Sequence, residues 1–235
     1  MTRHPTGHPT GHPTGHPTGR PDLVIFDCDG VLVDTERLTV GVEARVLTEL
    51  GWPHTAEEVV ASWMGRSSAA QLADLEARLG PAGARLFDER TTAELLETFE
   101  RELTAVDGIA VLLDRLDEAG VRSCVASSGT HGRMRRTLGL TGLYDRFDGR
   151  IFSATEVEHG KPAPDLFLHA AARMRAAPEG CVVVEDSVYG VRAAVAAGMT
   201  VYGYAGGLTP SERLASAGAV TFDRMADLAD VLLAG

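Results

Sequence analysis

From Pro21 to the end of the chain, short apolar runs alternate with stretches of helical spacing, and this alternation predicts a parallel sheet with helices on both faces. Strand-like runs occupy 22–27, 121–126, 150–153, 181–184, 200–204 and 219–222, separated by helical patterns at 109–119, 131–139, 165–176, 188–197 and 225–233. The run Leu23-Val24-Ile25-Phe26 is continuously apolar, as a parallel strand buried on both faces requires. One interval breaks the rhythm. Residues 36–104 carry helical spacing throughout, with Leu38, Val42, Val46, Leu47 and Leu50 on one face before Gly51-Trp52-Pro53 stops the helix. Val59, Val60, Trp63 and Met64 repeat the pattern, then Leu72, Leu75 and Leu79, then Leu95, Leu96, Phe99 and Leu103. The tryptophans and methionines are expected in the core rather than against a ligand.

The chain therefore divides into a core of residues 21–35 and 105–235 and an all-helical cap, 36–104, inserted after the first strand. An insertion at that point is well placed to close over reacting groups and exclude water. Residues 1–20 form a separate tail. Its four His-Pro-Thr-Gly repeats offer no apolar side chain to bury, so the tail is expected to be disordered; a metal-binding role for His4, His8, His12 and His16 lacks preorganisation.

The first strand ends in Asp27-Cys28-Asp29-Gly30, and strand carboxyl ends are where open α/β sheets bind ligands. Two carboxylates so close repel unless one is protonated or a cation intervenes. With Mg²⁺ on Asp27, that carboxylate stays ionised and can act as a nucleophile, while Asp29 can hold a proton for a leaving oxygen. Taken alone, the pair is equally compatible with a strand that ends in an acidic turn. Cys28 alternates to the opposite side of the strand, and with Cys124 and Cys181 reads as a buried thiol.

Three further segments bear on the chemistry. Ser127-Ser128-Gly129-Thr130 follows the second strand, where hydroxyls and free amides suit an oxyanion or simply cap a helix. Lys161 lies in Gly160-Lys161-Pro162-Ala163-Pro164, where two prolines stiffen the loop and make the lysine a credible counter-charge. Glu185-Asp186-Ser187 ends the fourth strand, placing Asp186 either as a further oxygen ligand for a hard cation or as a helix cap.

In this order and at domain-scale spacing, Phe26-Asp27-Cys28-Asp29-Gly30-Val31, Ser127, Gly160-Lys161-Pro162 and Glu185-Asp186-Ser187 resemble the motifs of the haloacid dehalogenase-like superfamily, in the subgroup with a helical cap after the first strand. The resemblance covers nearly everything except the tail and implies a Rossmann-like core. It implies Asp27 as nucleophile, Asp29 as general acid and base, Ser127 with Lys161 as the phosphate grip, and Ser128 lies beside them. Mg²⁺ would be carried by Asp27, the main-chain oxygen of Asp29 and Asp186, with Glu185 behind them.

Departures narrow the expectation. Relatives that displace halide lack the second aspartate, and phosphonate-cleaving relatives need a cap lysine, whereas residues 36–104 contain none. Sugar phosphomutases of the subgroup tend to carry a histidine at the start of the cap, where this chain has Thr39. A phosphatase acting on a small, sugar phosphate-like metabolite is thus expected ahead of a phosphomutase, and both ahead of a non-catalytic binder. Arg66, in Met64-Gly65-Arg66-Ser67-Ser68, is the cap's candidate for substrate specificity.

Charge and hydropathy agree. With 33 acidic against 22 basic residues, a net charge of −11 argues against partners such as nucleic acid or an anionic membrane. No apolar stretch reaches the roughly 18 residues of a membrane span and the N-terminus lacks a signal-peptide core, so a cytoplasmic location is expected.

Overall fold

The computed structural model describes residues 19–63 and 68–234. The repeats up to residue 18, with their histidines, and Arg66 lie outside the described residues.

The strands β1 (Leu23–Phe26), β2 (Arg122–Ser127), β3 (Ile151–Ser153), β4 (Cys181–Glu185), β5 (Thr200–Tyr204) and β6 (Val220–Phe222) form one parallel sheet in the order β3-β2-β1-β4-β5-β6. The chain builds outward from β1 to β3 and then returns to the other side of β1. That reversal opens a crevice at the carboxyl ends of β1 and β4.

Strand alternation sorts the core into two layers. Val24 and Phe26 face one way and pack against α4 (Ile109–Glu118), α5 (His131–Leu140) and α9 (Met225–Leu233). Leu23 and Ile25 face the other way, against α6 (Asp165–Arg173), α7 (Val188–Ala196) and α8 (Ser211–Ala217). The pattern continues past the strand, so Cys28 is buried in the first layer with Val24 and Phe26. All three cysteines are free thiols, and burial raises the pKa of each.

Between β1 and α4 run α1 (Thr35–Glu49), α2 (Ala56–Trp63) and α3 (Ser68–Glu102). The last is broken at Gly80, whose φ of 71° and ψ of 168° are not helical, just before Pro81. These helices own a core in which Val46, Leu47, Val59, Trp63, Leu75 and Phe87 are buried. Leu72 and Leu96, expected inside from their spacing, are exposed instead, whereas Ala84 and Phe87 are buried in this core. The two connections to the sheet lie side by side, with Asp34 N donating to Thr104 O at 3.0 Å and Val106 N to Leu32 O at 3.0 Å. Among the described helices, none is long and apolar enough to cross a membrane.

Candidate active site

Register places the site. Phe26 lies opposite Val125 on one side and Val184 on the other, so the next step along the chain sets Asp27 level with Ala126 and Glu185. Lys161, on the loop before α6, reaches into this junction. Its Nζ donates to Asp27 Oδ1 at 2.6 Å, Glu185 Oε1 at 2.7 Å and Ala126 O at 3.1 Å, and lies 4.8 Å from the centre of the Phe167 ring. All three ammonium hydrogens are satisfied in a buried setting.

Two buried carboxylates thus share one ammonium. Burial pushes Asp27 up to about 7, against the opposing pull of Lys161. Burial also works against the charge of Lys161, yet Asp27 and Glu185 outweigh it and hold its pKa above the ordinary value. Glu185 is fixed from behind, its Oε2 accepting from Ser187 N at 2.7 Å and Ser187 Oγ at 2.9 Å. Gly190 leaves the room this needs, since a Cβ there would fall 1.7 Å from Glu185 Oε1.

Asp186 is free of the capping role, because Ser187 caps α7 by accepting from Gly190 N at 3.0 Å. Its Oδ2 is buried without a partner, and so is Oε2 of Glu36 from α1. Burial and then the proximity of Glu36 push Asp186 well above the ordinary carboxylate range; burial pushes Glu36 up to about 7. Gly30, with φ of 80°, closes this corner, and a Cβ there would lie 2.0 Å from Asp186 Oδ2. A proton or a cation has to sit among such oxygens.

Asp27, Asp29, Ser127, Ser128, Lys161, Glu185 and Asp186 line one cavity of about 470 Å³ together with Glu36. Every expected site residue within the described part of the chain is therefore brought together. Ser127 is buried and accepts from Gly129 N at 3.1 Å, while the N-cap of α5 is Thr130, so the serine is not the helix cap. The excess of carboxylates over the one ammonium suits a hard divalent cation. Among the described residues, no three His, Cys, Asp or Glu side chains form a ready ligand cluster.

Asp29 faces a second cavity, of about 410 Å³, under α1 and α2. Its Oδ1 accepts from Thr35 Oγ1 at 2.8 Å and from Arg133 Nη2 at 3.0 Å; Arg133 Nε lies 3.4 Å from Oδ2. The guanidinium sits 5.4 Å from the centre of the Phe99 ring of α3. Sequence reasoning missed Arg133, Thr35 and Glu36. A signal for the arginine existed: a cation in the first turn of α5 opposes the helix dipole and so points to an acidic partner elsewhere.

The family model described as "Hydrolase: haloacid dehalogenase-like hydrolase" matches residues 21–198. The chain is 31% identical over 182 residues to 6-phosphogluconate phosphatase of Escherichia coli, spanning 77% of this chain and 81% of that protein. It is 32% identical over 213 residues to the phosphorylated carbohydrates phosphatase of Thermotoga maritima, spanning 90% and 98%. A crystal structure of a conserved haloacid dehalogenase-like protein of unknown function from Agrobacterium tumefaciens superposes with a TM-score of 0.81 at 39% identity, covering 90% of this chain and 97% of that one.

Proposed function

The chain belongs to the haloacid dehalogenase-like hydrolases, and from that premise we propose that it is a Mg²⁺-dependent phosphatase that hydrolyses a small, sugar phosphate-like ester through a phosphoaspartate on Asp27. The observation that carries this reading is the division of labour between the two aspartates. Asp27 is clamped by Lys161 in the cavity it shares with Asp29 and Asp186, while Asp29 alone of the two aspartates also opens onto the neighbouring cavity under the cap helices.

The chemistry follows from that division. A phosphate held by Lys161, Ser127 and Ser128 presents its phosphorus to Asp27, which attacks in line. Asp29 gives its proton to the departing alkoxide, which leaves into the cavity beneath α1 and α2. The ionised Asp29 then takes a proton from water; the water attacks the phosphoaspartate, releases inorganic phosphate and regenerates Asp27. Positioning and charge neutralisation supply most of the rate, because uncatalysed phosphate-monoester hydrolysis is among the slowest of reactions. The partnerless oxygen of Asp186 fits a cation. Asp27, the main-chain oxygen of Asp29 and Asp186 would hold Mg²⁺, with Glu185 behind them, and bound there it would neutralise charge on the transferring phosphoryl group.

Phosphate release from a panel of sugar phosphates, with and without Mg²⁺ and beside Asp27→Asn, tests the proposal. Mg²⁺-dependent release that vanishes in the variant is expected. Isomerisation of the ester without free phosphate would point to a phosphomutase, and release that survives in Asp27→Asn would remove the nucleophile.

A further inference from the structure

The turn that carries Ser127 and Ser128 is held from the edge of the sheet. Residues 127–130 lead from the end of β2 into α5, and within the turn Gly129 N donates to Ser127 Oγ at 3.1 Å. Gly129 has no side chain with which to anchor its own main chain. The anchor comes from β3, which pairs with β2 so that Ser153 lies level with Ser127. The Ser153 hydroxyl, fully buried, donates to Gly129 O at 2.7 Å.

The end of β3 needs an anchor in turn, because the strand is three residues long and has a neighbour on one side only. Glu156 supplies it. In the single 3₁₀ turn Ala154–Glu156 that follows the strand, Glu156 Oε1 accepts from Ser153 N at 2.7 Å while Ser153 Oγ accepts from Thr155 N at 3.1 Å, a reciprocal capping box. The same carboxylate reaches one helix on each face of the sheet. Its Oε1 accepts from Nε2 of His131, the first residue of α5, at 2.9 Å, and its Oε2 from Nε2 of His169 on α6 at 3.1 Å. Burial opposes the charge of Glu156, yet the Ser153 amide and then His169 and His131 outweigh it and hold the carboxyl below its ordinary pKa. Neither Ser153 nor Glu156 lines the cavity of Asp27 and Lys161, so whatever they do for the reaction passes through Gly129.

We infer that Ser153 and Glu156 are positioning residues of the phosphate grip: Glu156 sets Ser153, and Ser153 sets the main chain of Gly129, so that Ser127 and Ser128 meet the phosphoryl group already arranged. This rests on the phosphatase reading, which makes the turn a phosphate grip, and adds two residues that lie outside the cavity. Preorganised donors need no rearrangement when the phosphoryl group arrives, so a slack turn loses affinity for its oxygens whichever alcohol leaves.

The test is the dissociation constant of inorganic phosphate, read by isothermal titration calorimetry with Mg²⁺ present, beside kcat/KM for p-nitrophenyl phosphate and for an alkyl sugar phosphate. Ser153→Ala and Glu156→Ala should each weaken phosphate binding about tenfold, the upper end of what one ordinary hydrogen bond contributes, and lower kcat/KM for both esters by a similar factor. Glu156→Gln, whose amide oxygen can still accept from Ser153 N, should recover part of the loss. The double variant Ser153→Ala, Glu156→Ala should bind phosphate no worse than Ser153→Ala, because Glu156 acts through Ser153. Misfolded protein lowers kcat and the titrated stoichiometry but not the dissociation constant, so it cannot imitate this pattern. Should Ser153→Ala fail to melt cooperatively, the two Glu156 variants decide alone. Phosphate affinity unchanged in Ser153→Ala and Glu156→Ala, or losses that multiply in the double variant, would overturn this inference alone. A wild type that hydrolyses neither ester would overturn the phosphatase reading and this inference with it.

Discussion

Arg133 grips Asp29 through two of its nitrogens, Nη2 at 3.0 Å and Nε at 3.4 Å, across 104 residues of sequence. The guanidinium is itself stacked on Phe99 near the end of the last cap helix. Asp29 is thereby tied to α5 on one side and, through Thr35, to the first cap helix on the other. The aspartate that is to transfer a proton is held where core and cap meet.

Loss of that grip is expected to damage the proton-transfer step more than phosphate binding. Arg133→Ala should lower kcat for an alkyl sugar phosphate by about 10²-fold, the lower end of what a general acid contributes, and lower it much less for p-nitrophenyl phosphate, whose leaving group departs without a proton. Arg133→Lys should recover part of the difference. Equal losses on both esters would show that Arg133 does not position Asp29.

Lys161 neutralises two buried carboxylates, so its removal leaves uncompensated charge in the core of the site. Lys161→Met is expected to cost about 3–5 kcal/mol of stability, the usual penalty for breaking a buried ion pair. Adding Glu185→Gln should return a substantial part of it. Urea titration of the two single variants and the double variant measures the coupling; strict additivity would contradict the shared-ammonium arrangement.

Gly190 exists for Glu185. Gly190→Ala drives a methyl group into the carboxylate and should destabilise the protein by about 1–3 kcal/mol. Gly139→Ala, on an open face of α5 with nothing within 4 Å of the new methyl, should stabilise by up to about 1 kcal/mol. Thermal melting of the two variants side by side checks the contrast.

The oxygens of Asp186 and Glu36 that lack partners predict a cation effect visible without turnover. Added Mg²⁺ should raise the melting temperature of the wild-type protein in a concentration-dependent way, because the ion binds only the folded site. Asp186→Asn should lose most of that increase. An equal increase in both proteins would place the ion elsewhere.

Glu43 gives the fold a pH dependence of its own. Burial raises its folded pKa from 4.5 to about 7, so over that window the native protein holds a proton that the unfolded chain has released. Stability then falls as pH rises from about 4.5 to about 7 and levels off above, a loss of at most about 3 kcal/mol for this one group. Glu43→Gln removes it. The difference in unfolding free energy between wild type and variant, followed from pH 5 to 8, should move against the wild type; a flat difference would refute the assignment.

Much of this molecule is legible in local pattern. The continuous apolar runs at Leu23–Phe26 and Cys181–Val184 identify buried parallel strands, and the acidic residues that end them fall at the carboxyl edge because that is where the chain leaves the sheet. Helix α8 escaped notice because only Leu214 of its seven residues is buried, too little to mark a period.

Asp27, Lys161, Glu185 and Asp186 could be chosen from sequence because each lies at a strand end or in a proline-stiffened loop, where local rules confine the backbone. The partners of those residues followed no such rule. Glu36, Glu43 and Arg133 lie on helices, where a charged residue reads by default as solvated surface. Periodicity assigns such a residue to a face without saying what the face meets. Only the packing of the cap helices over the sheet buries Glu36 beside Asp186, turns Glu43 into the cavity and brings Arg133 to Asp29, because contacts between distant segments depend on how whole elements pack rather than on their own residues.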